Sequence, residues 1–345
     1  MTTRRSLIIT LLVLVALLLT TGLVFAIGEV NQGSDSTAEG DFSTTLWTRQ
    51  FGSSRSEVAR GIAVDASGAY VGGKTEGALA GQASLGNGDA FVRKYDPEGK
   101  ELWTRQFGSS GIDIAWGITV DASGVYVAGG TEGALPGQTK LGGVDSFVRK
   151  YDPEGKELWT RQFGSPGYDS ANGITVDTSG VYVAGDTEGA LSGQSSLGSN
   201  DAFVRKYDPQ GNELWTRQLG SSAVDEALGI TGDSSGVYVA GWTEGSLPGQ
   251  ASLGFSDAFV RKYDPEGKEL WTRQFGSSGS EGAFGITVDT SGVYVSGDTD
   301  GALPGQSSLG SNDAFVRKYD LEARSSGPGS LVPLRRMTPS NDTRF

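Results

Sequence analysis

The chain has 345 residues, 54 of them glycine, with neither cysteine nor histidine and a net charge of −13. A disulfide framework is therefore excluded, the usual zinc, copper, haem and iron–sulfur ligands are missing, and the commonest general base is absent. The acidic balance excludes nucleic acid as a natural partner and favours cations or basic surfaces.

Arg4 and Arg5 precede an uncharged stretch from Leu7 to Ile27. Positive charge keeps the extreme N-terminus inside, so whatever follows is exported. Val24-Phe25-Ala26 offers a cleavage site after Ala26, and the same stretch is long enough to span a bilayer. Residues 1–27 thus read as a signal peptide or a signal anchor. Either one places the rest outside the cell or on its surface, with membrane contact only through this segment. Residues 28–41 are small, polar and acidic, the composition of a flexible linker.

From residue 42 onward a repeat governs the chain. Trp47, Trp103, Trp159, Trp215 and Trp271 recur every 56 residues, as do Tyr70, Tyr126, Tyr182, Tyr238 and Tyr294. One such repeat is one supersecondary unit. In the second unit, Gly117–Asp121 and Val125–Gly129 read as two strands around an Asp–Gly turn. A long Gly/Pro-punctuated loop leads to a third strand, Ser146–Tyr151. The turn Asp152-Pro153-Glu154-Gly155 then leads to a fourth, Glu157–Phe163. No stretch in the repeats has a helical period.

Four antiparallel strands per unit, repeated, predict an all-β β-propeller over residues 42–320 with five four-stranded blades. The first fourth-strand sequence, Leu46–Phe51, precedes the first complete unit, and the last unit stops after its third strand. The N-terminal strand is therefore expected to complete the last blade and close the ring. The tail from 321 to 345 departs from the repeat and reads as disordered.

The phrases Gly117-Ile118-Thr119-Val120-Asp121, Gly124-Val125-Tyr126-Val127 and Asp201-Ala202-Phe203-Val204-Arg205-Lys206-Tyr207-Asp208 recur in order five times. They resemble the SBBP-type β-propeller repeat of prokaryotic surface proteins. The resemblance implies a propeller fold and an extracellular setting. It implies no shared activity and no agreed functional residues.

Chain direction places the turns between first and second strands, and between third and fourth, at one end of each blade. The remaining loops lie at the other end, the top, and the copies differ mainly there. The residue before the first strand is Arg60, Trp116, Asn172, Leu228 or Phe284, and the residue after the second is Lys74, Gly130, Asp186, Trp242 or Asp298. Ahead of the constant aspartate of the third strand, the fourth unit carries Phe255. Loops on a rigid scaffold are where binding usually resides. Arg60, Lys74, Trp116, Asn172, Asp186, Trp242, Phe255, Phe284 and Asp298 are accordingly the candidate ligand-binding residues. The plainer account has Trp116, Leu228 and Phe284 plugging the centre of the ring, with drift after duplication elsewhere.

Acidic residues also recur at the top. Asp113, Glu132 and Asp145 of the second unit form the candidate set for a calcium ion, one per blade, since hard oxygen ligands suit it. The plainer account is that these side chains cap loops by accepting backbone N–H groups. No other cofactor is implied.

These readings favour a non-enzymatic binding, adhesion or scaffolding module, with a cell-surface polysaccharide or protein as partner. A passive envelope spacer would show no saturable ligand. A carboxylate-dependent glycan hydrolase or lyase would need acids restricted to one or two blades, and only Asp186 and Asp298 qualify.

Overall fold

A computed structural model describes residues 45–323. The signal or anchor segment, the linker and residues 324–345 lie outside the described residues. Among those described, all regular structure is β.

Five sheets follow one another along the chain. The first holds β1 (Glu57–Asp65), β2 (Gly68–Thr75), β3 (Asp89–Tyr95) and β4 (Glu101–Phe107). The second holds β5 (Asp113–Asp121), β6 (Gly124–Thr131), β7 (Asp145–Tyr151) and β8 (Glu157–Phe163). The third holds β9 (Asp169–Asp177), β10 (Gly180–Thr187), β11 (Asp201–Tyr207) and β12 (Glu213–Leu219). The fourth holds β13 (Asp225–Asp233), β14 (Gly236–Thr243), β15 (Asp257–Tyr263) and β16 (Glu269–Phe275). The fifth holds β17 (Glu281–Asp289), β18 (Gly292–Thr299) and β19 (Asp313–Tyr319). Each sheet is an antiparallel meander in chain order, as the five repeats predict.

Turn chemistry fixes the bottom hairpins. Asp121 Oδ1 accepts the Ser123 N–H at 2.7 Å, and Gly124 follows with φ +138°. A Cβ at Gly124 would collide with the Tyr151 carbonyl. In the second hairpin Lys156 N–H donates to Asp152 Oδ1 at 2.7 Å and Gly155 takes φ +79°.

The first strand of each blade is longer than the sequence suggests. β5 begins at Asp113 and not Gly117, because Asp113–Ala115 pair with Gly129–Thr131 beyond a β-bulge. The bulge residue is Trp116. Arg60, Asn172, Leu228 and Phe284 fall at the same interruption in their own sheets. A bulged residue leaves the ladder and has its side chain re-aimed. That is why one position accepts Arg, Trp, Asn, Leu and Phe while its neighbours scarcely change.

The core lies between sheets. Tyr70, Ala90 and Val92 of the first sheet pack with Trp103, Phe107, Val125, Val127 and Phe147, which spans the junction to the second, and the arrangement recurs along the chain. Each buried large side chain contributes about 1.5–3 kcal/mol of transfer free energy. Polar locks complete each junction. Trp103 Nε1 donates to the Pro153 carbonyl at 3.0 Å and Arg105 Nε to the Gly155 carbonyl at 2.6 Å. The Arg149 guanidinium lies 4.2 Å from the Phe107 ring centroid and pairs with Glu157 at 3.4 Å.

The expected pairing of the N-terminal strand with the last blade is not seen among the described residues. The fifth sheet has three strands, and Trp47–Phe51 is not its fourth. The segment instead stands on the first blade: Trp47 Nε1 donates to the Pro97 carbonyl at 3.1 Å and Arg49 Nε to the Gly99 carbonyl at 2.6 Å. Among the described residues the two ends of the array stay open, with Ile62 at 70% and Val316 at 78% exposure. The repeat also runs slightly past its expected end. Residues 321–323 complete the turn after β19, where Ala323 takes φ 65° in the place other blades give to glycine.

Candidate ligand-binding face

The top loops are laid down by main-chain bonds between neighbouring blades. Asp113 N–H donates to the Gly88 carbonyl at 2.8 Å, and Asp169, Asp225 and Glu281 repeat the bond to Val144, Asn200 and Ser256. The residues just ahead of the third strand thus have anchored backbones while their side chains vary from blade to blade. Phe255 shows this most clearly: its N–H donates to the Gly279 carbonyl at 2.8 Å while its residue exposure is 80%.

Four of the nine candidate residues meet in one place. Trp242, Phe255, Phe284 and Asp298 line a 490 Å³ groove between the fourth and fifth blades, together with Glu244 and Asp300. Trp242 sits across the strand from Glu226, and Phe284 is half exposed.

The other five candidates do not reach this groove. The Arg60 guanidinium stacks on Trp116, 4.9 Å from the ring centroid, across the first junction. Lys74 pairs with Glu76 at 3.2 Å. Asn172 Nδ2 donates to Asp186 Oδ1 at 2.8 Å and to the Ala227 carbonyl at 3.1 Å. Asn200 Nδ2 donates to Asp186 Oδ2 at 3.2 Å. Asp186 is consequently buried and clamped by two amides. Burial pushes its carboxyl up, the two asparagines oppose this, and Asp169 and Glu188 add to it. Asp298 repeats the pairing with Asn312 at 2.9 Å. The signal was present in the sequence: the two blades with an aspartate after the second strand are the two with an asparagine fourteen residues later.

The recurrent acids are loop caps. Asp113 accepts Ser109 N–H at 2.7 Å, Ser109 Oγ at 3.2 Å and the Thr131 hydroxyl. Asp89 accepts Leu85 N–H at 2.8 Å and Gln106 Nε2 at 2.6 Å, and Glu132 accepts Ile112 N–H at 3.0 Å. The candidate calcium set is split between junctions. Asp113 stands beside Asp89 of the preceding blade, whereas Asp145 stands beside Asp169 of the following one. At the next junction Asp225 Oδ2 and Asp201 Oδ1 lie 2.6 and 2.9 Å from where a Cβ on Gly220 would be. These aspartates are buried between blades and not displayed on the face, whereas Glu132 is exposed. Among the described residues, no three acidic side chains form a group that could hold a metal ion.

Five successive antiparallel sheets, packed face to face through the same residues at each junction, define a β-propeller-type repeat fold. The family model SBBP, described as a beta-propeller repeat, matches residues 158–191. Regulatory protein FlaEY of Caulobacter vibrioides is 30% identical over 214 residues, covering 53% of this chain and 22% of that protein. An uncharacterized WD repeat-containing protein of Acanthamoeba polyphaga mimivirus is 21% identical over 323 residues, covering 67% of this chain and 23% of that protein. The chain spans less than a quarter of the length of these curated relatives. Among solved structures, a Bacteroides caccae protein of unknown function aligns with TM-score 0.40 at 11% identity, over 78% of this chain and 80% of the other. The GH43_1 enzyme from Xanthomonas citri, complexed with xylotriose, aligns with TM-score 0.37 at 11% identity, over 84% and 95%.

Proposed function

We propose that the chain is an exported, non-enzymatic binding module of the cell surface that takes polysaccharide in the groove between the fourth and fifth blades. The observation that carries this reading is the convergence of Trp242, Phe255 and Phe284 with Asp298, Glu244 and Asp300 in one open groove. Aromatic faces suit the C–H faces of sugar rings, and carboxylates at the rim accept sugar hydroxyls. No other blade carries an aromatic residue at the positions of Trp242 and Phe255. The non-enzymatic part rests on the two blade-restricted acids. Asp186 is buried under two asparagine amides, and Asp298 Oδ2 accepts a third, so neither carboxylate stands unpartnered.

The test is a glycan and cell-wall polysaccharide binding screen on the full chain in mild detergent, beside a Trp242→Ala/Phe255→Ala variant of equal melting temperature. Saturable binding weakened at least about tenfold in the variant, a loss of roughly 1.4 kcal/mol, is the expected result. Binding by neither folded protein would remove the polysaccharide reading and favour a spacer. Turnover of any glycan by the unmodified chain would overturn the non-enzymatic part.

A further inference from the structure

Each of the four blade junctions within the chain is built from the same complementary halves. One half is the third strand's outer edge, to which a fourth strand pairs. At the first junction Ala90 faces Phe107, Val92 faces Arg105 and Arg93 faces Thr104. The fourth strand then stands on the next blade through its Trp and Arg. Deeper in, an isoleucine of the next blade lies against a first-strand glycine: Ile118 on Gly61, Ile174 on Gly117, Ile230 on Gly173 and Ile286 on Gly229.

The ends of the array carry the same two halves, each without its mate among the described residues. Trp47–Phe51 stands on the first blade as β4 stands on the second. Arg93 lies 4.0 Å from the Phe51 ring centroid, matching Arg149 over Phe107 at 4.2 Å. Yet this segment has no third strand beside it among the described residues. Among the described residues β19 is a third strand with no fourth. Val316 is 78% exposed where Val92, Val148, Val204 and Val260 are 0%. Ile62 is 70% exposed, while Gly285 has only its own sheet's Ser296 within 4 Å of its Cβ position.

We propose that these ends join head to tail between two copies of this chain, Trp47–Phe51 of one copy adding to β19 of the other as its fourth strand. The intact sheets set the register: Phe51 opposite Ala314, Arg49 opposite Val316 and Thr48 opposite Arg317. Ile62 then seats on Gly285. Edge-strand addition supplies the backbone hydrogen bonds, and the surfaces are the two halves of a contact the chain already makes four times. The interface is heterologous, since the two patches differ, and so continues into a ring or a filament according to its rotation.

The chain has no cysteine, so introduced thiols report without background. Opposed residues in an antiparallel pair come within disulfide reach. Full-length Thr48→Cys and Arg317→Cys proteins are oxidised separately and mixed, beside the double variant. Arg261→Cys/Thr272→Cys, an opposed pair inside the fourth sheet, is the positive control. A disulfide-linked heterodimer formed on mixing and absent from either protein alone is the expected result. A double variant that gives only an intramolecular disulfide, with no heterodimer on mixing, would show that the chain closes on itself and overturn the proposal. No disulfide at this pair, with the control formed, would also overturn it.

Discussion

The indole Nε1 of Trp159 donates to the Pro209 carbonyl at 3.1 Å, and its ring packs against Gly211 of the next blade. Trp47 makes the same bond to Pro97 at 3.1 Å with no strand beside it among the described residues. One residue type is thus seen in two settings, locked between two sheets and resting on one.

The two settings predict different costs. Trp159→Ala opens a buried junction and should destabilise by about 3–5 kcal/mol. Trp47→Ala removes one hydrogen bond and a half-exposed ring, for about 1–2 kcal/mol. Denaturant titration of the dilute protein compares them. Equal losses would mean that the first segment is enclosed on both sides.

Glycines offer a second comparison. Gly155 has φ +79°, and a Cβ there would meet Trp103 ring atoms at 2.6–3.0 Å; Gly137 has φ +73° with nothing within 4 Å. Gly137→Ala should cost only the backbone term, about 1–2 kcal/mol. Gly155→Ala also displaces the indole that locks the junction and should cost about 1–3 kcal/mol more. Thermal melts of both variants check the order. A smaller loss at Gly155 would contradict the role of the indole–glycine contact.

Stability should rise on mild acidification. Burial pushes the Asp113, Asp169 and Asp225 carboxyls up, against hydrogen bonds from threonine and serine and with help from the neighbouring aspartate of the preceding blade. A folded pKa above the unfolded value means that the folded state binds the proton more tightly. The folded state therefore gains as pH falls through the folded pKa and loses that gain as pH rises. Asp233 behaves oppositely: burial works upward, but hydrogen bonds from Ser235 and Tyr238 hold it low. Its contribution is lost only in stronger acid, below the ordinary aspartate pKa of about 3.9. The melting temperature should therefore climb as pH falls from neutrality towards the ordinary aspartate pKa of about 3.9, and fall in stronger acid. A steady decline from pH 7.5 to 5 would exclude the buried acid pairs as the dominant titrating groups.

The sequence by itself determined the repeat, the four strands of each unit, their hairpin turns and the all-β architecture. Those follow from local rules: β-branched and aromatic alternation, Asp and Pro at turn positions, and glycine where φ is positive. It also marked the variable top positions. Only the tertiary structure decided that Trp242, Phe255, Phe284 and Asp298 share a groove while Arg60 and Trp116 satisfy each other. It also divided Asp113 and Asp145 between two junctions, so that a set drawn from one repeat is not a set in space. Trp116 reads as a residue ahead of a strand, and its place at a bulge depends on the register with β6, a pairing that spans the hairpin. Ring closure was inferred from counting strands, but a count carries no rotation between sheets. That rotation comes from side-chain packing such as Ile118 on Gly61, which exists only once two blades meet.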